Sequence, residues 1–243
     1  LPNAGLVGWW PLDGNANDYS GNGNNGVPTA VLYAPQQVVK PSLLYSLSGY
    51  GTSFNGQSST KIIALDTPYN STFSKNNALT VSSWIYELPN SECEVSTVNI
   101  YNLTSVYPTF LFRFGVSGGA WPPNRIMLEL FTTSTQTNMF STSVVPYNQW
   151  SNIVAEYNGT NVNFYLNGRF AGSAAYSATL STAPKSLVVI GANPNSGCNS
   201  GFLGGISNVQ LYNTALSAQQ IQQLYQQSMP PDASVEIPLS WAP

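Results

Sequence analysis

The stretch Gly5-Leu6-Val7-Gly8-Trp9-Trp10-Pro11-Leu12-Asp13-Gly14, followed by Asp18-Tyr19-Ser20-Gly21-Asn22-Gly23-Asn24-Asn25-Gly26, decides how this chain is read. A short strand of alternating character runs into a turn crowded with Gly and Asn, which tolerate the positive φ angles that other residues resist. Near the opposite end, Gly204-Gly205-Ile206-Ser207-Asn208-Val209-Gln210-Leu211-Tyr212-Asn213-Thr214-Ala215-Leu216-Ser217 has the same character, and a Gln-rich amphipathic segment follows it. If these two strands pair, the first and last strands close one sandwich. Everything from Gly5 to Gln227 is then a single domain, expected over residues 1–227.

Between these ends, strand-like runs recur at short spacing with turn signals between them, the pattern of an all-β chain. Ala78–Glu87 alternates Leu79, Val81, Ser83 and Ile85 with Thr80, Ser82, Trp84 and Tyr86. Trp150–Tyr157, Val162–Leu166 and Arg169–Ala174 read as a meander, with Asn167-Gly168 as the hairpin turn whose central residues both need φ > 0. Thr29–Leu47 reads as an irregular insertion and Leu88–Tyr107 as a variable region. The one helix expected is Ser217–Gln227, with Ser217 as N-cap and Ile221, Leu224 and Tyr225 on one face.

Charged residues make up 7% of the chain, against roughly 25% in an average globular protein. The seven basic and ten acidic residues are scattered, so nothing here attracts nucleic acid or an anionic membrane surface. No run of apolar residues is long enough for a membrane-spanning helix, and no signal-peptide pattern is present. The first residue is expected to follow a processing step that removed a leader or an anchor. The chain has no histidine, so few groups titrate between neutral pH and acid, which hints at an acidic exterior setting. Three glycosylation sequons begin at Asn70, Asn102 and Asn158, each beside turn-like residues. Cys93 and Cys198 are the only cysteines and are consistent with one disulfide in an oxidising compartment. An extracellular or cell-surface location follows.

The order of these motifs resembles the laminin-G-like, concanavalin A-like lectin/glucanase superfamily. The carrying residues are the two stretches quoted above, together with Thr52-Ser53-Phe54-Asn55-Gly56, Ala78–Ile85, Gln149–Ala155 and Phe164-Tyr165-Leu166-Asn167-Gly168. The resemblance implies a two-sheet antiparallel jelly-roll sandwich. It also implies a structural Ca²⁺ at the N-terminal turn, with Asp18, Asn22 and Asn25 as ligands, although the family's acidic pair on the last strand is Ser207-Asn208 here. Calcium takes 6–8 oxygens, and losing two carboxylates weakens such a site.

Related sandwiches include glucanases, which need two carboxylates flanking the scissile bond. The nearest approach to that pattern here is Glu92-Cys93-Glu94, which lacks the family's third acid. Without histidine there is no triad, and the zinc ligand sets are missing too. The chain therefore reads as non-catalytic. Trp121, in the loop Gly118–Pro123, is the candidate glycan-stacking residue; Trp9, Trp10, Trp84 and Trp150 lie in strand motifs and read mostly as core. The expected function is recognition or adhesion, with cell-surface glycans or other surface proteins as partners. The alternative is a structural subunit of a filament or sheath, joined through the tail 228–243. There Val235, Ile237, Leu239 and Trp241 occupy every second position, the period of a half-buried strand, and Pro238 confines it to an edge. Such a strand docks on its own domain or adds to a neighbour's sheet.

Overall fold

The computed structural model describes residues 2–33, 37–40, 43–46, 52–55, 61–66, 76–89, 95–102, 110–116, 122–132, 135–180, 186–192 and 201–228. In chain order the strands begin with β1 (Leu6–Trp10), β2 (Gly26–Thr29), β3 (Leu32–Tyr33), β4 (Gln37–Lys40), β5 (Leu43–Ser46) and β6 (Thr52–Asn55). Next are β7 (Lys61–Asp66), β8 (Leu79–Glu87), β9 (Val95–Asn102), β10 (Phe110–Val116), β11 (Arg125–Phe131) and β12 (Gln136–Val144). Then β13 (Trp150–Tyr157), β14 (Asn161–Leu166), β15 (Arg169–Ala175), β16 (Ser186–Ile190) and β17 (Leu203–Tyr212) lead into helix α1 (Ala218–Ser228).

The strands form two large antiparallel sheets. The first has the order β15-β14-β13-β8-β17-β6-β3, with β1 also paired to β17; the second has the order β12-β11-β10-β9-β16-β7-β2. A small hairpin, β4-β5, stands apart. The pairing of first and last strands is present, with Trp9 opposite Gln210 and Trp10 opposite Val209.

Alternation on β8 sorts its residues onto two faces. Leu79, Val81 and Ile85 join Trp10, Val98, Ile100, Phe114, Ile126, Leu128 and Ile206 in the core between the sheets. Each fully buried side chain of this kind contributes roughly 1.5–3 kcal/mol before ordering costs. Thr80, Ser82, Trp84 and Tyr86 face the other way, onto the outer surface of the first sheet. Helix α1 lies there: Ile221 and Leu224 pack with Val154, Tyr165 and Tyr212. Tyr225 stacks on Trp84 with ring centroids 5.4 Å apart, and the Trp84 indole donates to Ser228 Oγ at 2.9 Å. Ser217 does cap the helix, its Oγ accepting the Gln220 N–H while Gln220 Oε1 accepts the Ser217 N–H at 2.9 Å. This reciprocal pair is a capping box.

Three readings change. The stretch called variable contains β9, at the centre of the second sheet, where Val98 and Ile100 enter the core. Thr97 and Asn99 lie on its other face and are also buried, so both faces are covered and the run lacks the apolar-polar contrast that marks a strand. The region called an irregular insertion supplies β3, β4 and β5, strands so short that no periodicity can show. Trp84 and Trp150 are buried but under the outer layer with Tyr86, Leu88 and Leu203, not between the sheets.

Candidate functional site

Trp9 and Trp10 are adjacent in a strand and must point to opposite faces. Trp10 is fully buried between the sheets, its indole donating to the Asn24 carbonyl at 2.9 Å. Trp9 is half-buried on the outer face of the first sheet. Its indole donates to Asn208 Oδ1 at 3.2 Å, and Asn208 in turn donates to the Ser228 carbonyl at the end of α1. Asn208 has φ of 47°, and the pairing of β17 with β8 shifts register between Ser207 and Gln210, so a bulge carries the Asn208 amide to the indole.

Against Trp9 stands Tyr19, 53% exposed. The two rings meet edge-on, centroids 6.0 Å apart and planes at 61°, a favourable aromatic geometry. The backbone holds them there: the Tyr19 N–H donates to the Trp9 carbonyl at 2.7 Å. Asn15 Nδ2 reaches the Tyr19 hydroxyl at 3.4 Å. The result is an aromatic corner with asparagine amides beside it.

The residues expected to bind calcium build this corner instead. Asp18 Oδ1 accepts the N–H groups of Trp9 and Ser20 at 2.9 and 2.8 Å. Its Oδ2 accepts the Ser20 hydroxyl at 2.8 Å and the Asn24 N–H at 2.9 Å. Asn25 Oδ1 accepts the Asp18 N–H, and Asn22 turns its amide donors onto the carbonyls of Leu6 and Val7. A cation needs oxygens facing inward without hydrogen atoms in the way. Here the donors surround the acid, so these residues do not fit the ion. Among the described residues no group of three His, Cys, Asp or Glu could hold a metal.

The described glutamates are dispersed. Glu129, on the second sheet, is fully buried and pairs with Arg113 opposite it in the β10–β11 ladder. Glu156, on the outer face of the first sheet, accepts Asn163 Nδ2 at 2.6 Å, and Asn163 Oδ1 accepts the Ser173 hydroxyl at 2.8 Å. Burial raises the Glu156 carboxyl above the usual range. Glu87 has the parity of the inward residues of β8; it is 1% exposed, both its oxygens lack a partner, and burial pushes it up to about 8. No two of these three share a face, so they do not form the flanking pair that glycoside hydrolysis requires.

The family profile for laminin G-type domains of the concanavalin A-like lectin/glucanase superfamily matches residues 58–222. The chain belongs to this superfamily. No curated protein matches it by sequence. Among solved structures, the laminin G-like domain resembles domain 4 of an extracellular arabinanase from Geobacillus stearothermophilus, determined in complex with arabinotriose. That pair has 19% identity and a TM-score of 0.65, covering 92% of this chain and 99% of the other. It also resembles the binding domain of botulinum neurotoxin serotype G, at 15% identity and TM-score 0.64, covering 91% of this chain and 50% of the other. A third similar structure is the botulinum neurotoxin serotype D ligand-binding domain in complex with N-acetylneuraminic acid, at 16% identity and TM-score 0.62, covering 93% and 51%. The laminin G-like chain thus spans about half of these toxin chains.

Of the other sites expected from sequence, Asn158 is exposed in the β13–β14 turn, its Oδ1 accepting the N–H groups of Thr160 and Asn161. Asn102 ends β9, and its side chain is outside the described residues. Asn70, Cys93, Cys198, Trp121 and the tail residues Val235, Ile237, Leu239 and Trp241 also lie outside them. The sequence reading groups Trp9 with Trp10 as core, which hides the Trp9–Tyr19 corner. The available signal was strand parity: two adjacent tryptophans cannot both enter the same layer.

Proposed function

We propose that this laminin G-like domain recognises carbohydrate outside the cell without acting on it chemically, and that the Trp9–Tyr19 corner is where sugar binds. The observation that carries the reading is an aromatic pair, one ring 53% exposed, fixed by backbone hydrogen bonds beside side-chain amides. An aromatic ring stacks on the apolar face of a sugar ring, and fixed amides supply both donor and acceptor for hydroxyls. Preorganisation spares the ordering cost that a mobile loop would incur on binding. Structural neighbours solved with arabinotriose and with N-acetylneuraminic acid, on the same fold, support the class of ligand. The three described glutamates, each on a different face, form no catalytic pair with one another, which is in keeping with a binding role. Cell-surface glycans are the partners this surface suits.

A glycan array followed by titration calorimetry tests the proposal. Tyr19→Ala removes an exposed ring without opening the core, and is expected to weaken binding about tenfold, or about 1.4 kcal/mol. Unchanged affinity in Tyr19→Ala would overturn the assignment of the corner.

A further inference from the structure

Trp9 is not alone on its row. Through the ladders of the first sheet it lies opposite Gln210, which lies opposite Ser82, then Val154, Tyr165 and Phe170. These six residues form one line across β1, β17, β8, β13, β14 and β15, all on the outer face. Gln210, Ser82 and Val154, in the middle of the line, are buried; Val154 packs beneath α1. At the far end Phe170 is 62% exposed, its ring held edge-on by Tyr165 at 5.8 Å and 82°. Five strand spacings of about 4.8 Å place it roughly 24 Å from Trp9.

Neither the six residues of this row nor helix α1 between its ends carries a charged side chain. Helix α1 has no acidic or basic residue in its sequence AQQIQQLYQQS. Gln219, Gln223 and Gln226 are exposed at i, i+4 and i+7, a single stripe along the helix. A solvated helix face ordinarily carries charges; this one carries primary amides, each with two donors and an acceptor. Beside Phe170, the next row of the sheet ends in the Glu156–Asn163–Ser173 relay. Glu156 is buried and fixes the Asn163 amide, leaving Asn163 and the exposed Ser173 as the polar edge of the Phe170 platform. No cationic side chain stands on these rows.

We infer that one extended, uncharged oligosaccharide lies across this face, with Trp9–Tyr19 under one end, the glutamine stripe of α1 beneath its middle and Phe170 under the other end. The inference rests on the proposed function and adds the class and the length of the ligand. Sialylated or sulfated chains are disfavoured, because among the described residues of these rows and of α1 no cation stands to meet their charge, and one carboxylate lies behind them. Two platforms joined by one ligand act as linked sites, so affinity rises once the ligand spans both.

Calorimetry on the whole protein, with neutral arabino-, xylo-, gluco- and manno-oligosaccharides from disaccharide to octasaccharide, and with sialyllactose and a heparin fragment, gives the test. The expected result is an affinity that steps up with length for at least one neutral series. Phe170→Ala should abolish that step, about tenfold, while leaving the disaccharide unaffected; Tyr19→Ala should weaken every length. Gln223→Ala, which favours the helix, should weaken only the long chains. Length-independent affinity, or an equal effect of Phe170→Ala on short and long ligands, would overturn the extended site. Tighter binding of the charged probes would overturn the ligand class. If the unmodified protein bound none of the sugars, the proposed function itself would fall.

Discussion

Glu87→Gln should make this domain more stable at neutral pH and leave it nearly unchanged in acid. The Glu87 carboxyl is 1% exposed with neither oxygen hydrogen-bonded, and burial raises it from 4.5 to about 8. The acid is therefore neutral in the folded chain and ionised in the unfolded one across the interval between those values. Folding takes up a proton there, so the native state is favoured fully below about pH 4.5 and loses ground as pH rises toward 8. At about 1.4 kcal/mol per unit, the loss between pH 4.5 and pH 7 is about 3 kcal/mol. For a chain of this size that is roughly 6–12 °C in Tm. Glutamine has nearly the same shape, carries no charge at any pH and escapes the loss. Scanning calorimetry of both proteins at pH 4.5, 6 and 7.5 should show two curves that coincide in acid and separate upward. A constant gap, or a wild-type Tm that does not fall over this range, would refute the reasoning. Glu156, also raised by burial, adds to the same slope in both proteins.

Three further outcomes follow from the turn and the helix. Calcium and EDTA should leave Tm unmoved, since the Asp18 oxygens are occupied by four donors; a calcium-dependent rise would restore the ion. Asp18→Ala should still destabilise the fold by about 2–4 kcal/mol through the lost charge-assisted bonds, read by denaturant unfolding. Ser217→Ala, which removes the α1 cap, should cost about 1 kcal/mol in the same assay.

Much of the architecture was legible because the chain writes period and punctuation clearly where it matters. The alternation in Ala78–Glu87, the Asn167-Gly168 turn and the Ser217 cap each have one physical reading, and the structure has β8, the β14–β15 hairpin and α1 there. β9 was illegible because a strand covered on both faces, with Asn99 fully buried, carries no polar-apolar contrast. The candidate site was half-legible. Asp18, Asn22 and Asn25 read from sequence as calcium ligands, but side-chain identity alone does not say whether oxygens or hydrogens converge. Phe170 was invisible as a partner of Trp9, because their shared row depends on five successive strand registers.

The closing pair of strands also sets the order in which the binding corner can come into being. Trp9 and Asn208, joined by a hydrogen bond, are 199 residues apart in the chain. At about 5–20 residues per second of synthesis, the indole leaves the ribosome roughly 10–40 seconds before its partner exists. Contacts this distant are also slow to form once the chain is complete. A truncated copy that ends before Leu203 lacks β17 and with it the strand on which β1 is seated. The Trp9–Asn208 contact is thus a property of molecules in which both ends of the domain have been made.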